Sequence, residues 1–412
     1  MAGQFIKSLR TTYNKTINSI AFYPALIAIG FLLLSWLMLT LDFSETGKHI
    51  KANYSWVRLK DANTARTIVS TIAGGIISLM VFSFSMVMIL LNQAASQMSN
   101  RMLESMIGNR FQQLVLGSYI GTIVYALFLL STIRDIESGI YVPALSIYLL
   151  LIITIGDIFI FIYFLHYVTQ SVKFETIIDR VHQQTLVALK KTCTTNEIQS
   201  IPDLPSGFQI ISTNASGYYQ GFDKKALLKF IKQSSGVVKL LHPPGKYLLK
   251  NQPVLQYNGK ARLVEKDIEA LLLALDFYAG QPVEHNFYYG FHQLAEVALK
   301  ALSPGINDPE TAVLSLNALT DLFYYRLQHH PELIISTKEG RAVIILTGRT
   351  FNELFEECIY PIWDYGSNDR YIQNTLHSML KQLRSSGPLS EINLILEDMQ
   401  RKVNVKCDRN HK

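Results

Sequence analysis

Four side chains able to hold a divalent cation or a polar ligand fall within a short stretch of the chain. His292 and Glu296 are four residues apart, so a helix would place them on one face, and Asp308 and Glu310 sit at the bend that follows. Imidazole and carboxylates gathered in this way make a metal or polar-ligand site. The same residues also read as plain architecture. Ser303-Pro304-Gly305 ends one helix, Asp308 caps the next, Pro309 takes its first position and Glu310 its first turn. Glu296 and Lys300 form an ordinary i,i+4 surface pair. No phosphate-binding glycine loop, nucleophile elbow, His-Glu-x-x-His or kinase signature accompanies them. No catalytic residue and no cofactor is therefore assigned. His329-His330-Pro331 reads as a surface turn.

A fifth group stands apart. Asp157, in Ile155-Gly156-Asp157-Ile158, lies near the centre of a long apolar run. A carboxylate at that depth is costly and marks a site when it faces the protein interior. Ser78, Ser85 or Tyr125 are the expected partners, and the alternative role is a structural hydrogen bond between helices.

A third feature is a stripe. On a helical wheel Thr67, Ser70, Gly74, Ser78, Ser85, Asn92, Ser96 and Ser99 fall within an arc of about 80°, interrupted by Val81 and Met88. Small residues let helices pack closely in lipid, with hydroxyls bonding across the contact. The other reading is a water-lined path with Met88 and Val81 as apolar constrictions.

The elements that must position these groups follow from composition. The 412 residues are 49% hydrophobic and 17% charged, and the apolar excess lies in the first 170 or so. Four runs are long enough to span a bilayer, at 21–41, 68–91, 114–133 and 143–168. The first is too long, and lacks the small-residue cleavage site, to be a signal peptide. The stretch Asp61 to Arg110 contains no proline and predicts one helix of roughly 70 Å, far longer than a bilayer core, ending at Gly108-Asn109. If the N-terminus is inside, Lys7, Arg10, Lys15, Arg101, Arg110, Lys173, Arg180, Lys190 and Lys191 lie inside. Lys48, Lys51, Arg58, Lys60, Arg66 and Arg134 lie outside. That excess of basic residues places both termini in the cytoplasm.

Beyond the spans, 169–205 reads as an amphipathic helix and a linker with Pro202 and Pro205. Short strands between Gly and Pro follow at 206–262, with a helix at Lys224–Lys232. Their cadence looks like a small barrel-sandwich module without an attachment lysine. Residues 263–412 are mainly helical: Asp267–Ala279, Phe287–Leu302, Pro309–Gln328, Phe351–Asp364 and Ile372–Ser385, interrupted by a strand at Arg341–Thr347. The fold class expected is thus a membrane all-α domain of four transmembrane helices followed by a cytosolic α+β domain. Three scattered cysteines, Cys193, Cys358 and Cys407, fit a reducing compartment. The net charge of +6 is spread without a nucleic-acid footprint.

Four motifs in order resemble one bacterial group. They are Thr64-Ala65-Arg66-Thr67, Gln93-Ala94-Ala95-Ser96-Gln97-Met98-Ser99-Asn100-Arg101, Gln113-Leu114-Val115-Leu116-Gly117 and Ala301–Ala312. The chain resembles the predicted membrane proteins of domain-of-unknown-function family 2254 over nearly its whole length. The resemblance implies a bacterial plasma-membrane protein and carries no activity, cofactor or catalytic residue. The family's form has an aromatic where Glu310 stands, which weakens Glu310 as a catalytic candidate.

Two functions are compatible with these observations. One is an ion or small-solute conduit in the inner membrane, regulated by its cytosolic domain and formed by one chain or a homo-oligomer. The other is a membrane-anchored sensor or scaffold whose spans only tether a ligand-binding module of unknown ligand. An enzyme with a metal site in the helical region comes third. The bilayer is the one partner common to all.

Overall fold

The computed structural model describes residues 21–53, 59, 61–97, 110–133, 142–195, 207–234, 236–259, 262–278, 283, 286–336, 343–385, 392–393, 396–398 and 401. The chain divides into two compact units, one essentially 1–173 and one essentially 174–412, with residues 97–101 grouped with the second.

The first unit is helical: α1 (Phe22–Phe43), α2 (Glu45–Asn53), α3 (Ala62–Gln97), α4 (Arg110–Thr132) and α5 (Ala144–Ser171). Among them α1, α3, α4 and α5 are each long and apolar enough to cross a membrane. The described part of α3 is 36 residues, about 54 Å of continuous helix. Its expected continuation to Gly108 lies outside the described residues. The fourth span runs on past the expected 168 to Ser171, so the amphipathic helix after it starts at Phe174.

Glycines set how α1 meets α4. A Cβ at Gly117 would press into the Ile27 side chain and the Pro24 backbone, and one at Gly121 into the Phe31 ring. Two glycines four apart therefore let the helices approach closely, as small residues do in lipid. Tyr125, Ala126, Leu129, Ile147 and Leu150 form one core with Val69 and Ala73 of α3, and Tyr119, Val115, Ile76, Phe164 and Val168 form another.

Polar groups close one end of this bundle. The buried Asp42, at the end of α1, accepts hydrogen bonds from the Leu145 and Ser146 amides (3.1 and 2.8 Å) and the Ser146 hydroxyl (2.5 Å). It thereby satisfies amides at the start of α5 and places an anion at the positive end of that helix. The Lys51 ammonium of α2 donates to the Asp42 carbonyl at 2.6 Å and to its carboxylate at 3.2 Å. Arg66 of α3 donates to the Ile133 carbonyl just past the end of α4 (3.2 Å). Asp61 caps α3 through the Thr64 amide and hydroxyl.

The second unit mixes helices and sheets. It runs α6 (Phe174–Thr192), β1 (Cys193–Thr195), β2 (Gln209–Ser212), β3 (Gly217–Phe222), α7 (Lys224–Ser234), β4 (Val237–Leu240), β5 (Tyr247–Leu248) and β6 (Pro253–Asn258). There follow α8 (Glu265–Leu273), β7 (Leu275–Phe277), α9 (Tyr288–Ala301), α10 (Pro309–Gln328), β8 (His330–Pro331), β9 (Ile334–Ser336), β10 (Val343–Ile345), α11 (Phe351–Gly366) and α12 (Arg370–Arg384).

The strand pairing does not carry the barrel-sandwich expectation. One sheet has the order β2-β6-β4-β10-β9, so two of its five strands come from beyond residue 330. β10 lies parallel to β4 in the register Val343↔Val237, whereas its neighbours pair antiparallel. A second sheet, β5-β3-β7, recruits Leu275–Phe277, which sequence periodicity had assigned to the end of a helix. His330-Pro331 also differs from expectation, pairing with Cys193–Thr195 as a short strand instead of forming a turn.

Ile211, Leu227, Ile231, Val238, Leu255 and Ile344 build the core between the five-stranded sheet and α7. The helices pack separately: α9 lies against α6, α10 and α11, with Gly290 admitting the Thr185 side chain. Cys193 and Cys358 are buried free thiols, and Cys407 lies outside the described residues.

Candidate functional site

The polar stripe lies on α3, and among the described residues of the first unit no helix covers it. Thr67, Ser70, Gly74, Ser78, Ser85 and Asn92 are all exposed, as are the apolar interruptions Val81 and Met88. The Ser96 side chain and Ser99 lie outside the described residues. Thr71 and Gly75, also exposed, widen this face beyond the expected arc. A Cβ at Gly74 or Gly75 would meet no atom within 4 Å. The Thr67, Ser70 and Ser78 hydroxyls donate to carbonyls three or four residues back on their own helix. That pattern satisfies them without a partner helix.

Asp157 is nearly inaccessible, and its carboxylate accepts from the Ser118 and Thr122 hydroxyls of α4, each at 2.6 Å. The expected partners are a correction. Ser78 and Ser85 face away from the bundle, and the Tyr125 hydroxyl donates to the Ser146 carbonyl instead (3.1 Å). Ser118 and Thr122 are four apart on α4, one residue on from the Gly117–Gly121 pair that faces α1. One step of 100° moves the hydroxyls round to a different neighbour, here α5. The Ser-x-x-x-Thr spacing beside Gly-x-x-x-Gly was the available signal.

In the second unit His292 and Glu296 do share a face of α9, and the partners of His292 come from around the start of α11. His292 Nε2 lies 3.0 Å from the Glu357 carboxylate and 3.2 Å from Arg349 Nη1, and Arg349 also pairs with Glu357. Burial lowers the His292 pKa, and it outweighs the raising effect of Glu357. Arg349 stacks over the Tyr288 ring at 5.6 Å, and its amide donates to the Tyr288 hydroxyl at 2.8 Å. Burial pushes the Tyr288 phenol up to about 12.

Asp308 takes the capping role. Its carboxylate accepts from the Thr311 amide (3.2 Å) and hydroxyl (2.6 Å), and the following Pro309 opens α10. Asn307 just before it has a left-handed backbone, φ 51°, which asparagine tolerates better than most residues. Glu310 is exposed. Among the described residues no three His, Cys, Asp or Glu side chains converge so as to share a metal ion. A cavity of about 100 Å³ lies beside the cluster, lined by Tyr288, Asn286, His242, Thr347 and Gly348 among others.

The family model for Predicted membrane protein (DUF2254) matches residues 17–382. The chain belongs to that family. An uncharacterized protein of Mycobacterium tuberculosis is 23% identical over 366 residues, 84% of this chain and 70% of the relative. An uncharacterized protein of Mycobacterium bovis is 22% identical over the same shares. No solved structure matches. Membership fits the four apolar helices and brings no activity with it. Several polar groups of this family member escaped sequence reasoning: Asp42, Lys51 and Ser146 at one end of the bundle, and Arg349 and Glu357 beside His292.

Proposed function

We propose that the chain is a multi-pass protein of the bacterial inner membrane, both termini cytoplasmic, that conducts ions or small solutes. In this reading several copies bring their α3 helices together, the Thr67–Asn92 face lines the path, and residues 174–412 regulate it. The observation that supports it is the bare polar face of α3, with Gly74 and Gly75 open to close approach by another backbone. Val81 and Met88 on that face would act as apolar constrictions. Purified protein in liposomes should pass ions or small solutes under voltage, tension or osmotic gradients, above empty liposomes. Silence under all three would remove the conduit.

A second reading, a membrane-anchored sensor, is favoured by the polar cluster of His292, Arg349 and Glu357 beside a cavity. It differs in predicting that substitution at Ser78 leaves function intact. An enzyme built on His292, Glu296, Asp308 and Glu310 has less support, because Asp308 is engaged in capping α10.

A further inference from the structure

A cavity of about 240 Å³ opens inside the first unit between α3, α4 and α5. Its walls are mostly apolar, with Met80, Val87 and Leu91 from α3, Val115 and Leu116 from α4, and Phe164 from α5. Phe84, which lies outside the arc of the polar stripe, forms its edge and is 60% exposed, so that edge borders whatever surrounds the bundle, which in a membrane is acyl chain.

The polar lining is sparse and placed with depth. Gln112 and Gln113 lie at the start of α4, close to Arg110, and Tyr119 lies two turns further in, about 10 Å. Tyr119 is wholly buried, and its hydroxyl makes no hydrogen bond of ordinary length. Ser83 beside it donates to the Leu79 carbonyl of its own helix at 2.8 Å. The Ser83 oxygen stands near enough to ease the cost, but no acceptor lies at hydrogen-bonding distance among the described residues, so the phenol O–H bordering this apolar cavity stays under-satisfied unless something else supplies one.

We propose that this cavity binds a membrane-soluble amphiphile, whose carbonyl oxygen accepts the Tyr119 hydroxyl and whose apolar body lies against Val87, Leu116 and Phe164. The cavity is smaller than the ~300–1,000 Å³ typical of sites that enclose a whole ligand. The remainder of the molecule therefore passes the Phe84 edge into the bilayer, which a water-soluble ligand would not do. Met80 and Met88 supply the adaptable walls that such an occupant needs. A phospholipid ester and an isoprenoid quinone share this chemistry.

Full-length protein, purified in detergent and washed free of loose lipid, tests the proposal. Organic extraction and mass spectrometry count phospholipid and quinone per chain, and decylubiquinone and a brominated phosphatidylcholine serve as added probes. Wild type and an Ile152→Trp control, at an exposed α5 position outside the cavity, should retain one of the two classes at similar levels. Val87→Trp, which fills the cavity, and Tyr119→Phe, which removes only the hydroxyl, should each lower retention about fivefold or more. The class retained identifies the source. If Val87→Trp does not yield monodisperse protein, the comparison with Tyr119→Phe decides alone. Equal retention by Tyr119→Phe and wild type, or a wild type that retains and binds neither class, would overturn the proposal.

Discussion

The Thr122 hydroxyl of α4 donates to the Asp157 carboxylate of α5 at 2.6 Å, deep within the apolar length of both helices. Ser118, one turn away on α4, donates to the other carboxylate oxygen. The acid is thus fixed to its neighbour helix and does not reach the exposed face of α3. The simplest work for it is to hold α4 and α5 in register, so that the α3 face is presented on a rigid support.

Removing the Asp157 acceptor should therefore loosen the bundle. Asp157→Ala leaves two hydroxyls without acceptors and should cost about 1–3 kcal/mol. Asp157→Asn keeps an acceptor and should cost less. Thermal unfolding in nanodiscs measures the difference, and equal loss in both variants would show that the hydroxyl bonds do not set the register.

Asp42 should matter more. Its carboxylate satisfies two amides at the start of α5, the Ser146 hydroxyl and the Lys51 ammonium, all in a buried setting. Asp42→Ala strips every one of these and leaves Lys51 without its carboxylate, a loss of roughly 3–5 kcal/mol for a broken buried pair. Lys51→Met keeps the helix-terminal donors on Asp42 and should be milder. Limited proteolysis of membranes containing each variant ranks them.

Close approach of α1 and α4 depends on Gly117 and Gly121. Gly121→Leu drives a side chain into the Phe31 ring and should destabilise by about 1–3 kcal/mol through overpacking. Gly156→Leu on α5, where a Cβ meets nothing within 4 Å, should be tolerated. The same unfolding assay separates them, and a tolerated Gly121→Leu would mean that the two helices are not held at glycine contact.

The His292 ring carries a pH signature. Burial holds its folded pKa below the usual 6.5, despite Glu357 and Glu296, with Arg349 acting in the same direction as burial. The unfolded ring titrates near 6.5, so below that value the unfolded state binds the extra proton. The stability associated with the neutral ring is fully present above about 6.5 and falls as the pH drops toward the folded value. His292→Gln should flatten that slope in denaturant unfolding measured from pH 7.5 to 5. An unchanged slope would assign the pH dependence to other groups.

How much of this was legible in the sequence depends on the distance over which each feature is determined. The spans were, because an apolar run of twenty residues announces itself without reference to anything else. The Asp308 cap was equally local, since Asp308, Pro309 and Thr311 act within one turn. Asp157 could be recognised as costly, but its partners turn on which face of α4 meets α5, and that is settled by glycines packing on a third helix. The five-stranded sheet was hidden for the same kind of reason. β4 and β10 are about a hundred residues apart in the chain, and a three-residue strand such as Val343–Ile345 carries no periodicity that identifies its partner. Arg349 and Glu357 lie on either side of a helix start and meet His292 only through tertiary packing.

The central claim is that the α3 face lines a path, and chemical modification of that face during flux tests it most directly. Liposomes carrying Ser78→Cys or Ser85→Cys protein should lose most of their ion or solute flux on exposure to a charged methanethiosulfonate reagent. The equivalent Ile152→Cys protein, modified on an exposed α5 position, should keep it. Measurable flux that the reagent leaves unchanged at both serine positions would place any path elsewhere and contradict the role given to α3.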